Sequence, residues 1–458
     1  MPTISSTVVK WTRRLGLAAL ALLAIAAILW AISRALYPTE EQRDALAVMQ
    51  RPAPPEGNNA FAALWTLDRA VPMEDMPRVL KRDAARIAGL PQFPDADGTG
   101  TFDFASAARQ YPDLAPSTGD RDLFCNHERD DCLDKVATDI PAYRALVERN
   151  RELLDRIDAL ADYDYVRQQL PWHMSASIPV PIRAGLSSTR HALWFIDGRV
   201  DDALHASCRA IDTWRRLGAS GDTLILRLLA NAHAARNYGK LLAEMLARLP
   251  VDHALPPSCD RALAPPSPWE LSTCTAMRGE FELIETTTPA MLEEANDPLF
   301  SMLALRIGYN VKASQAALAE GLAPICSDGE IQRIAADDPE IERPAPENHS
   351  IWGFECIGNY IGCAITSIAA TAPAYDSYRL RMQDFGARLE LLATLAWLRE
   401  NADRPDRLDG LLDLRPDALK SPTRQVEIGE NGESLRIRMF VDFEGETWSV
   451  PLPVSLQR

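Results

Sequence analysis

One uninterrupted apolar run lies near the N-terminus of the chain. The 18 residues from Leu15 to Ile32 include no charged side chain. As a helix they would extend about 27 Å, close to the ~30 Å hydrocarbon core of a bilayer. The only charges before the run are basic, and basic residues favour the cytoplasmic side of a membrane. They are Lys10, Arg13 and Arg14. The pattern therefore predicts a cytoplasmic tail at 1–14 and a transmembrane anchor at 15–33.

A cleaved signal peptide is the competing interpretation of this run. Signal sequences have apolar regions of about 7–15 residues, followed by a small-x-small cleavage site. Here the run is longer, and the nearest candidate site, Ser33-Arg34-Ala35, contains a charge. The pattern favours an anchor that stays attached, in a bacterial inner membrane, with the bulk of the chain in the periplasm.

A second apolar stretch extends from Ile351 to Ala372, where Glu355 is the only charged residue. It contains Gly358-x-x-x-Gly362, a motif that packs helices together in membranes. Its asparagine, threonine, serine and cysteine residues make it less apolar than the first run. A buried helix of the soluble part is therefore favoured, and a second membrane span is the alternative.

Beyond the anchor, apolar residues recur at spacings of three and four, which is typical of amphipathic helices. Thr39-Glu40-Glu41-Gln42 has the spacing of a capping box, and Asn58 is expected to cap the next helix. Gly198 separates two helices with alanines at close-packing positions, which resembles a tetratricopeptide-type hairpin. Helices are expected at about 40–50, 58–67, 139–160, 182–197, 199–217, 221–249, 269–285, 298–320 and 376–401.

The C-terminal residues change to the alternating pattern of strands. Asn431-Gly432 lies between two short runs and is a hairpin signal, and apolar residues alternate with polar ones from Leu435 onward. A small antiparallel β-meander is therefore predicted at 424–458. The fold class as a whole is mainly α: an irregular multi-helix periplasmic domain with one tetratricopeptide-like hairpin and this meander.

Proline-rich segments indicate how the helical part divides. Six prolines crowd residues 250–268, which predicts a boundary between an N-terminal helical region at 34–250 and a C-terminal helical region at 269–423. Residues 89–132 are rich in proline, glycine and aspartate, and we expect an irregular insert there.

Eight cysteines in an exported chain indicate disulfides before they indicate metal ligands. Proximity along the chain predicts three bridges, Cys125–Cys132, Cys259–Cys274 and Cys356–Cys363. Cys208 and Cys326 are left as a long-range bridge or as buried free thiols. The chain has no CxxC motif, which argues against a thioredoxin-like redox site and a zinc ribbon.

The charge of the chain limits its partners. The formal net charge is −16, and residues 1–34 carry only basic charges, so the rest is more acidic still. Such a surface repels phosphate backbones, so we expect no nucleic-acid partner. A basic protein or peptide is the better candidate.

Two stretches carry a resemblance. Ala372-Pro373-Ala374-Tyr375 is followed by Tyr378-x-x-Arg381-x-x-Asp384, and further on come Pro405-Asp406-x-Leu408-x-x-Leu411, Pro416 and Pro422. Together they resemble an uncharacterised family of single-pass, membrane-anchored envelope proteins of xanthomonad-type proteobacteria. Members usually have proline and glycine after the asparagine at 348, where this chain has His349 and Ser350. The resemblance implies an anchored envelope protein and no particular activity.

One segment follows part of the calcium-loop template. Asp95, Asp97, Thr99 and Asp103 place oxygen donors at positions 1, 3, 5 and 9 of the template, with Gly100 at the sharp bend of position 6. The bidentate glutamate expected at the last position is Ser106, so a solvated Asx-Gly turn is favoured over a calcium site. We therefore expect no metal and no cofactor.

Catalytic residues stay unassigned. Asp155, Asp158, Asp162 and Asp164 recur at helical spacing, which is more typical of a hydrated helix face than of an acid–base pair. The seven histidines form no HxxxH or HExxH pair, and GxSxG, SxxK and P-loop motifs are absent from the sequence. We expect a non-enzymatic protein of the assembly-factor or inhibitor type that binds a periplasmic partner on an acidic face between about 139 and 249. The alternative is an envelope hydrolase with an unrecognised active site.

Overall fold

The computed structural model describes residues 6–90, 104–127, 129–173, 179, 181–294, 305–340, 353–370, 374–404, 407–441 and 447–457. It is mainly helical, as the apolar spacing predicts, and a small sheet follows near the C-terminus. The candidate calcium ligands Asp95, Asp97, Thr99 and Asp103 lie outside the described residues.

The chain forms two compact units that are not continuous in sequence. Unit 1 consists of Met1–Gln50, Glu285–Pro324 and Glu342–Ala372, and unit 2 of Arg51–Ile284, Ile325–Ile341 and Pro373–Arg458. This division differs from the expected boundary at 250–268. The prolines there end one helix and begin others, but the helices on both sides of them contribute to a single apolar core.

Unit 1 contains the one described helix that is long and apolar enough to cross a membrane, at Arg13–Leu36. Thr39 forms the capping box expected from the sequence, with its side chain bound to the amide of Gln42 and the Gln42 side chain bound to the amide of Thr39. The second apolar stretch forms two short helices, the longer of which has 11 residues. The helices of unit 1 are Ser6–Leu36, Glu40–Met49, Val311–Leu322, Phe354–Ile357 and Tyr360–Ala370.

Unit 2 is built around the helix Val200–Ser220. It packs on Ser187–Ile196 as the predicted hairpin, with Gly198 at a positive φ of 83° in the turn between them. The third predicted helix, 221–249, is divided into Leu224–Asn231, a π-helical segment Ala232–Gly239 and Lys240–Arg248. The remaining α-helices of unit 2 are Phe61–Trp65, Met76–Ile87, Thr118–Leu123, Cys132–Ala137, Ile140–Arg149, Arg151–Asp158, Ser258–Ala262, Pro268–Leu271, Cys274–Glu294 (to Ile284 in this unit), Asp328–Ala335, Ala374–Glu400 and Leu408–Asp413.

The expected N-cap at Asn58 is wrong. The helix begins at Phe61, and it is Asn59 whose side-chain oxygen accepts a hydrogen bond from the Phe61 amide. The amide of Asn58 instead binds the Asp164 carboxylate at 2.8 Å. Asn58 is thus engaged in a long-range contact with Asp164, and its neighbour Asn59 binds the first amide of the helix instead.

The C-terminal sheet confirms the predicted meander. Its strands β1 (Val426–Ile428), β2 (Ser434–Arg438) and β3 (Thr447–Pro451) are antiparallel in the order β1-β2-β3. Gly432 in the first turn has a φ of 75°, which favours glycine. Leu435, Ile437 and Val450 are buried against the helices Ala374–Glu400 and Lys240–Arg248.

Four disulfides join all eight cysteines. The short bridges Cys125–Cys132 and Cys356–Cys363 are those expected from proximity. The predicted Cys259–Cys274 bridge is wrong, because Cys259 bonds Cys208 and Cys274 bonds Cys326. The helix Ser258–Ala262 packs on Val200–Ser220, and this long-range packing, not chain distance, brings Cys259 to its partner.

Candidate binding clefts

A polar cluster is buried where the two helices of the hairpin meet. His191 is completely buried, with Nε2 at 3.4 Å from Ser187 Oγ and Nδ1 at 3.3 Å from Ser207 Oγ. Asp158 Oδ1 lies 3.5 Å from the same Nε2 and accepts a hydrogen bond from the Ser187 hydroxyl. A serine, a histidine and an aspartate therefore come within reach of one another, although they are distant in sequence.

This cluster differs from the triad of a serine hydrolase. In a triad the histidine faces the nucleophile with one ring nitrogen and the carboxylate with the other. Here Ser187 and Asp158 share Nε2, and Ser207 takes the position of the carboxylate. Ser187 is also fully buried, so its hydroxyl does not face a substrate. The arrangement suits a structural hydrogen-bond network that locks the hairpin.

The acidic run between 155 and 164 is only partly a hydrated face. Asp162 is 74% exposed, but Asp158 is 30% exposed and binds Arg190. Burial acts to raise the pKa of Asp158, but His191 and Arg190 outweigh it, and the pKa lies below its ordinary value. Arg190 also binds Asp155, and Arg209 binds Asp162. The expectation that these carboxylates form one free acidic face is therefore wrong for Asp158 and weakened for the others.

A cleft of about 240 Å³ opens beside this cluster, and we call it the tryptophan cleft. Trp194, Trp214 and Tyr238 supply its aromatic lining. Arg199 lies over the Trp194 ring at 4.7 Å from its centroid and bonds Asp202 at 2.8 Å. The charges of this cleft are therefore balanced within the cleft itself.

The π-helical segment Ala232–Gly239 shapes the floor of the tryptophan cleft. Tyr238 donates a hydrogen bond to the Ala184 carbonyl at 2.6 Å, and the His233 ring lies 4.7 Å from that of Trp214. Burial lowers the pKa of His233 to about 4, so the ring is neutral at pH 7 and its Nε2 donates to the Pro181 carbonyl. π-helical segments are frequent at functional sites. Here the side chains of the segment mainly bind the carbonyls of Pro181 and Ala184, just before the first helix of the hairpin.

Glu244 is a buried acid beside the Cys125–Cys132 loop. Its Oε2 accepts a hydrogen bond from the Cys132 amide at 3.1 Å, and its Oε1 has no hydrogen-bond partner among the described residues. Burial raises the pKa of Glu244 to about 7, and the charge of Asp131 adds to this effect. His127 of the same loop is buried on Ser188, and burial lowers its pKa to about 3. His127 and Cys132 of the loop are thus packed inward, whereas Arg129 and Asp131 are exposed.

A larger cleft lies elsewhere in unit 2, between residues 251–263 and the end of the helix Ala374–Glu400. Its volume is about 610 Å³, and we call it the acidic cleft. Arg399 forms part of its wall by donating hydrogen bonds to the carbonyls of Leu246 and Pro250, at 2.6 and 2.7 Å. These bonds hold the proline-rich loop against the helix, because the guanidinium provides donors to several carbonyls at once.

Four exposed carboxylates surround the acidic cleft, namely Asp252, Asp260, Glu400 and Asp403. Among the described residues, none of the four has a basic partner within 4.0 Å, in contrast to the acids of the tryptophan cleft. Trp397 is a half-buried member of the same lining, with the Arg404 guanidinium 5.9 Å from its ring centroid. An aromatic side chain in a cleft that is also lined by carboxylates favours the binding of a cationic side chain.

Metal ligands do not cluster in the part of the chain that the structure describes, where no group of three or more His, Cys, Asp or Glu side chains is positioned to hold an ion. Comparison with protein-family models, with curated proteins and with solved structures finds no match. The geometry of unit 2 and the apolar helix Arg13–Leu36 are therefore the features that bear on function.

Sequence reasoning missed the acidic cleft. Its carboxylates come from two segments about 150 residues apart, and the first of these segments looks like a linker because of its prolines. The one local signal is the acidic end of the helix that contains Trp397, where Glu400 and Asp403 follow at spacings of three and six. These two acidic residues indicate a cleft only once the proline-rich loop is known to pack against the end of the helix.

Proposed function

We propose that this protein is a membrane-anchored binding protein of the bacterial periplasm, without catalytic activity, whose acidic cleft holds a basic segment of a partner protein. The anchor is supported by the apolar helix Arg13–Leu36 and by the basic residues before it. The compartment is supported by the four disulfides, since such bonds persist in oxidising environments.

The observation that supports the binding proposal is the set of four exposed carboxylates that line one cleft together with Trp397. Exposed carboxylates without basic partners leave a negative potential that draws a cationic ligand and speeds its association. The ring of Trp397 adds a face over which a lysine or arginine side chain stacks in place of Arg404. A cleft of this size accommodates a few residues of an extended peptide.

A hydrolase would need a nucleophile that reaches a substrate. The described residues bring Ser187, His191 and Asp158 together, but the first two are completely buried. Binding therefore explains the open clefts of unit 2 better than hydrolysis does.

The test measures binding of a fluorescent peptide of alternating lysine and alanine to the full chain in detergent, by fluorescence anisotropy. The variant Glu400→Lys/Asp403→Lys reverses two charges of the cleft. Exposed ion pairs contribute about 0.2–1 kcal/mol each, so reversing two is expected to weaken binding on the order of tenfold. Binding should also weaken as salt rises, because the screening length falls from about 10 Å at 0.1 M to about 3 Å at 1 M.

The matched control is Glu74→Lys/Glu152→Lys, which makes the same change in net charge at two exposed positions outside the cleft. It should bind the peptide nearly as well as the wild type. Equal weakening by both double variants would mean that the peptide senses only net charge, and wild-type affinity of the cleft variant would remove the acidic cleft as the site.

A further inference from the structure

The last turn of the anchor helix is bound into the fold of unit 1. Trp30 donates its indole N–H to the carbonyl of Ile307 at 2.8 Å. Ser33 is buried and accepts a hydrogen bond from the Gly358 amide at 3.0 Å. The polar residues at this end of the helix are therefore part of the folded unit and not a free connection to it.

Arg34 joins two segments of unit 1 at this point. Its guanidinium donates to the carbonyls of Arg306 and Tyr309 on one segment and of Gly358 on the other, at 3.2–3.3 Å. A Cβ atom at Gly358 would come within 2.6 Å of the Arg34 side chain, so the close approach depends on glycine. The same two segments also contact each other, since the Asn310 amide donates to the Asn359 side chain at 2.7 Å.

These two segments expose large apolar side chains in spite of their packing. Each of the four residues below is 36–50% exposed, and we call them the apolar patch. They are Ile307, Phe354, Ile357 and Tyr360. Two exposed basic residues, Arg306 and Lys312, flank the patch in a chain that is acidic overall. Apolar side chains bordered by cations are characteristic of surfaces that lie in the headgroup region of a membrane.

The anchor fixes the depth of this patch. The apolar run ends at Ile32, and Trp30 lies two residues before that end, about 3 Å inside the hydrocarbon boundary at 1.5 Å per residue. The hydrogen bond from Trp30 places the backbone of Ile307 at nearly the same level. Exposed apolar residues at this level meet lipid and not bulk water.

We propose that the apolar patch inserts into the outer headgroup region of the bilayer that holds the anchor, so that unit 1 lies on the membrane as an interfacial platform. This inference rests on the proposed membrane anchor and adds a second, monotopic contact to it. Arg306 and Lys312 would place their charged ends among anionic headgroups, while their aliphatic stems cover the apolar side chains.

The test uses the full chain in liposomes of phosphatidylglycerol and phosphatidylethanolamine that contain a phospholipid with a photoreactive diazirine near the start of one acyl chain. After illumination, mass spectrometry of peptides locates the lipid adducts. We expect adducts on the anchor helix and on the segments at 305–311 and 353–361. Three more exposed apolar residues of unit 2 serve as internal controls that should stay unlabelled. They are Ile182, Trp269 and Val454.

The variant Ile307→Asp/Ile357→Asp should lose the adducts on both segments and keep those on the anchor, while retaining the Cys356–Cys363 bridge as a check on folding. Adducts on the anchor alone in the wild type would overturn the interfacial platform but not the proposed anchor. The same holds if crosslinks between two copies show that a second chain covers the patch. Adducts on neither would overturn the anchor itself.

Discussion

Replacing Glu244 by glutamine should remove a pH-dependent loss of stability. Glu244 is 3% exposed, one of its carboxylate oxygens has no partner among the described residues, and burial raises its pKa from 4.5 to about 7. When the pKa of a group is higher in the folded than in the unfolded protein, its protonated form stabilises the fold. This stabilisation is complete below the unfolded-state pKa and is lost as the pH rises through the folded-state pKa. The native state therefore loses stability between about pH 4.5 and pH 7.

The size of this loss follows from the shift in pKa. A change from 4.5 to about 7, at about 1.4 kcal/mol per unit, corresponds to roughly 3 kcal/mol. Glutamine matches the protonated carboxyl in shape and keeps an oxygen for the Cys132 amide. Glu244→Gln should thus equal the wild type near about pH 4.5 and exceed it by up to about 3 kcal/mol near about pH 8.

Urea unfolding of the full chain in detergent, with the disulfides intact, measures this difference across the pH range. Glu390 also has a pKa raised to about 7 by burial, but it contributes equally to both proteins and cancels in the comparison. The control Glu152→Gln changes an exposed glutamate and should leave the pH profile unchanged. A difference between Glu244→Gln and the wild type that is the same at every pH would refute the buried-acid argument.

Two further substitutions test what stabilises unit 2. Replacing both cysteines of the Cys208–Cys259 bridge by serine should lower the free energy of unfolding by about 4 kcal/mol, because that bridge closes a loop with a sequence separation of 51. The same change at Cys125–Cys132, with a separation of 7, should lower it by about 2.5 kcal/mol. Equal shifts in the urea midpoint would contradict this dependence on loop length. Arg424→Ala should cost about 3–5 kcal/mol, because it leaves the buried carboxylates of Asp337 and Asp384 without their shared cation. A loss under about 1 kcal/mol in the same assay would show that these carboxylates find other partners.

The features that sequence predicts best are those set by neighbouring residues. The capping box at Thr39, the turn at Gly198 and the hairpin at Gly432 each depend on local backbone chemistry, and each occurs where its signal lies. The short disulfides follow the same rule, since a loop of a few residues keeps its two cysteines close whatever the rest of the chain does.

The features that sequence could not predict depend on contacts between distant segments. Asp384 belongs to the motif that carries the family resemblance, but its role appears only in three dimensions. There its carboxylate binds Arg424 and the amides of Phe440 and Val441, and so joins the long helix to the sheet. The π segment and the acidic cleft likewise could not be predicted, because neither produces a periodic pattern of apolar residues in the sequence.

The order in which the chain is made has a consequence for the N-terminal helix Ser6–Leu36. Unit 1 takes its first segment from Met1–Gln50 and its next from Glu285–Pro324, so 234 residues of unit 2 are synthesised in between. At about 5–20 residues per second this interval lasts roughly 12–47 seconds. During that time the residues of this helix have been made, but the carbonyls that Arg34 binds do not yet exist. The last turn of the helix therefore lacks these hydrogen-bond partners for much of biosynthesis, and it gains all of them only after the chain has passed Gly358.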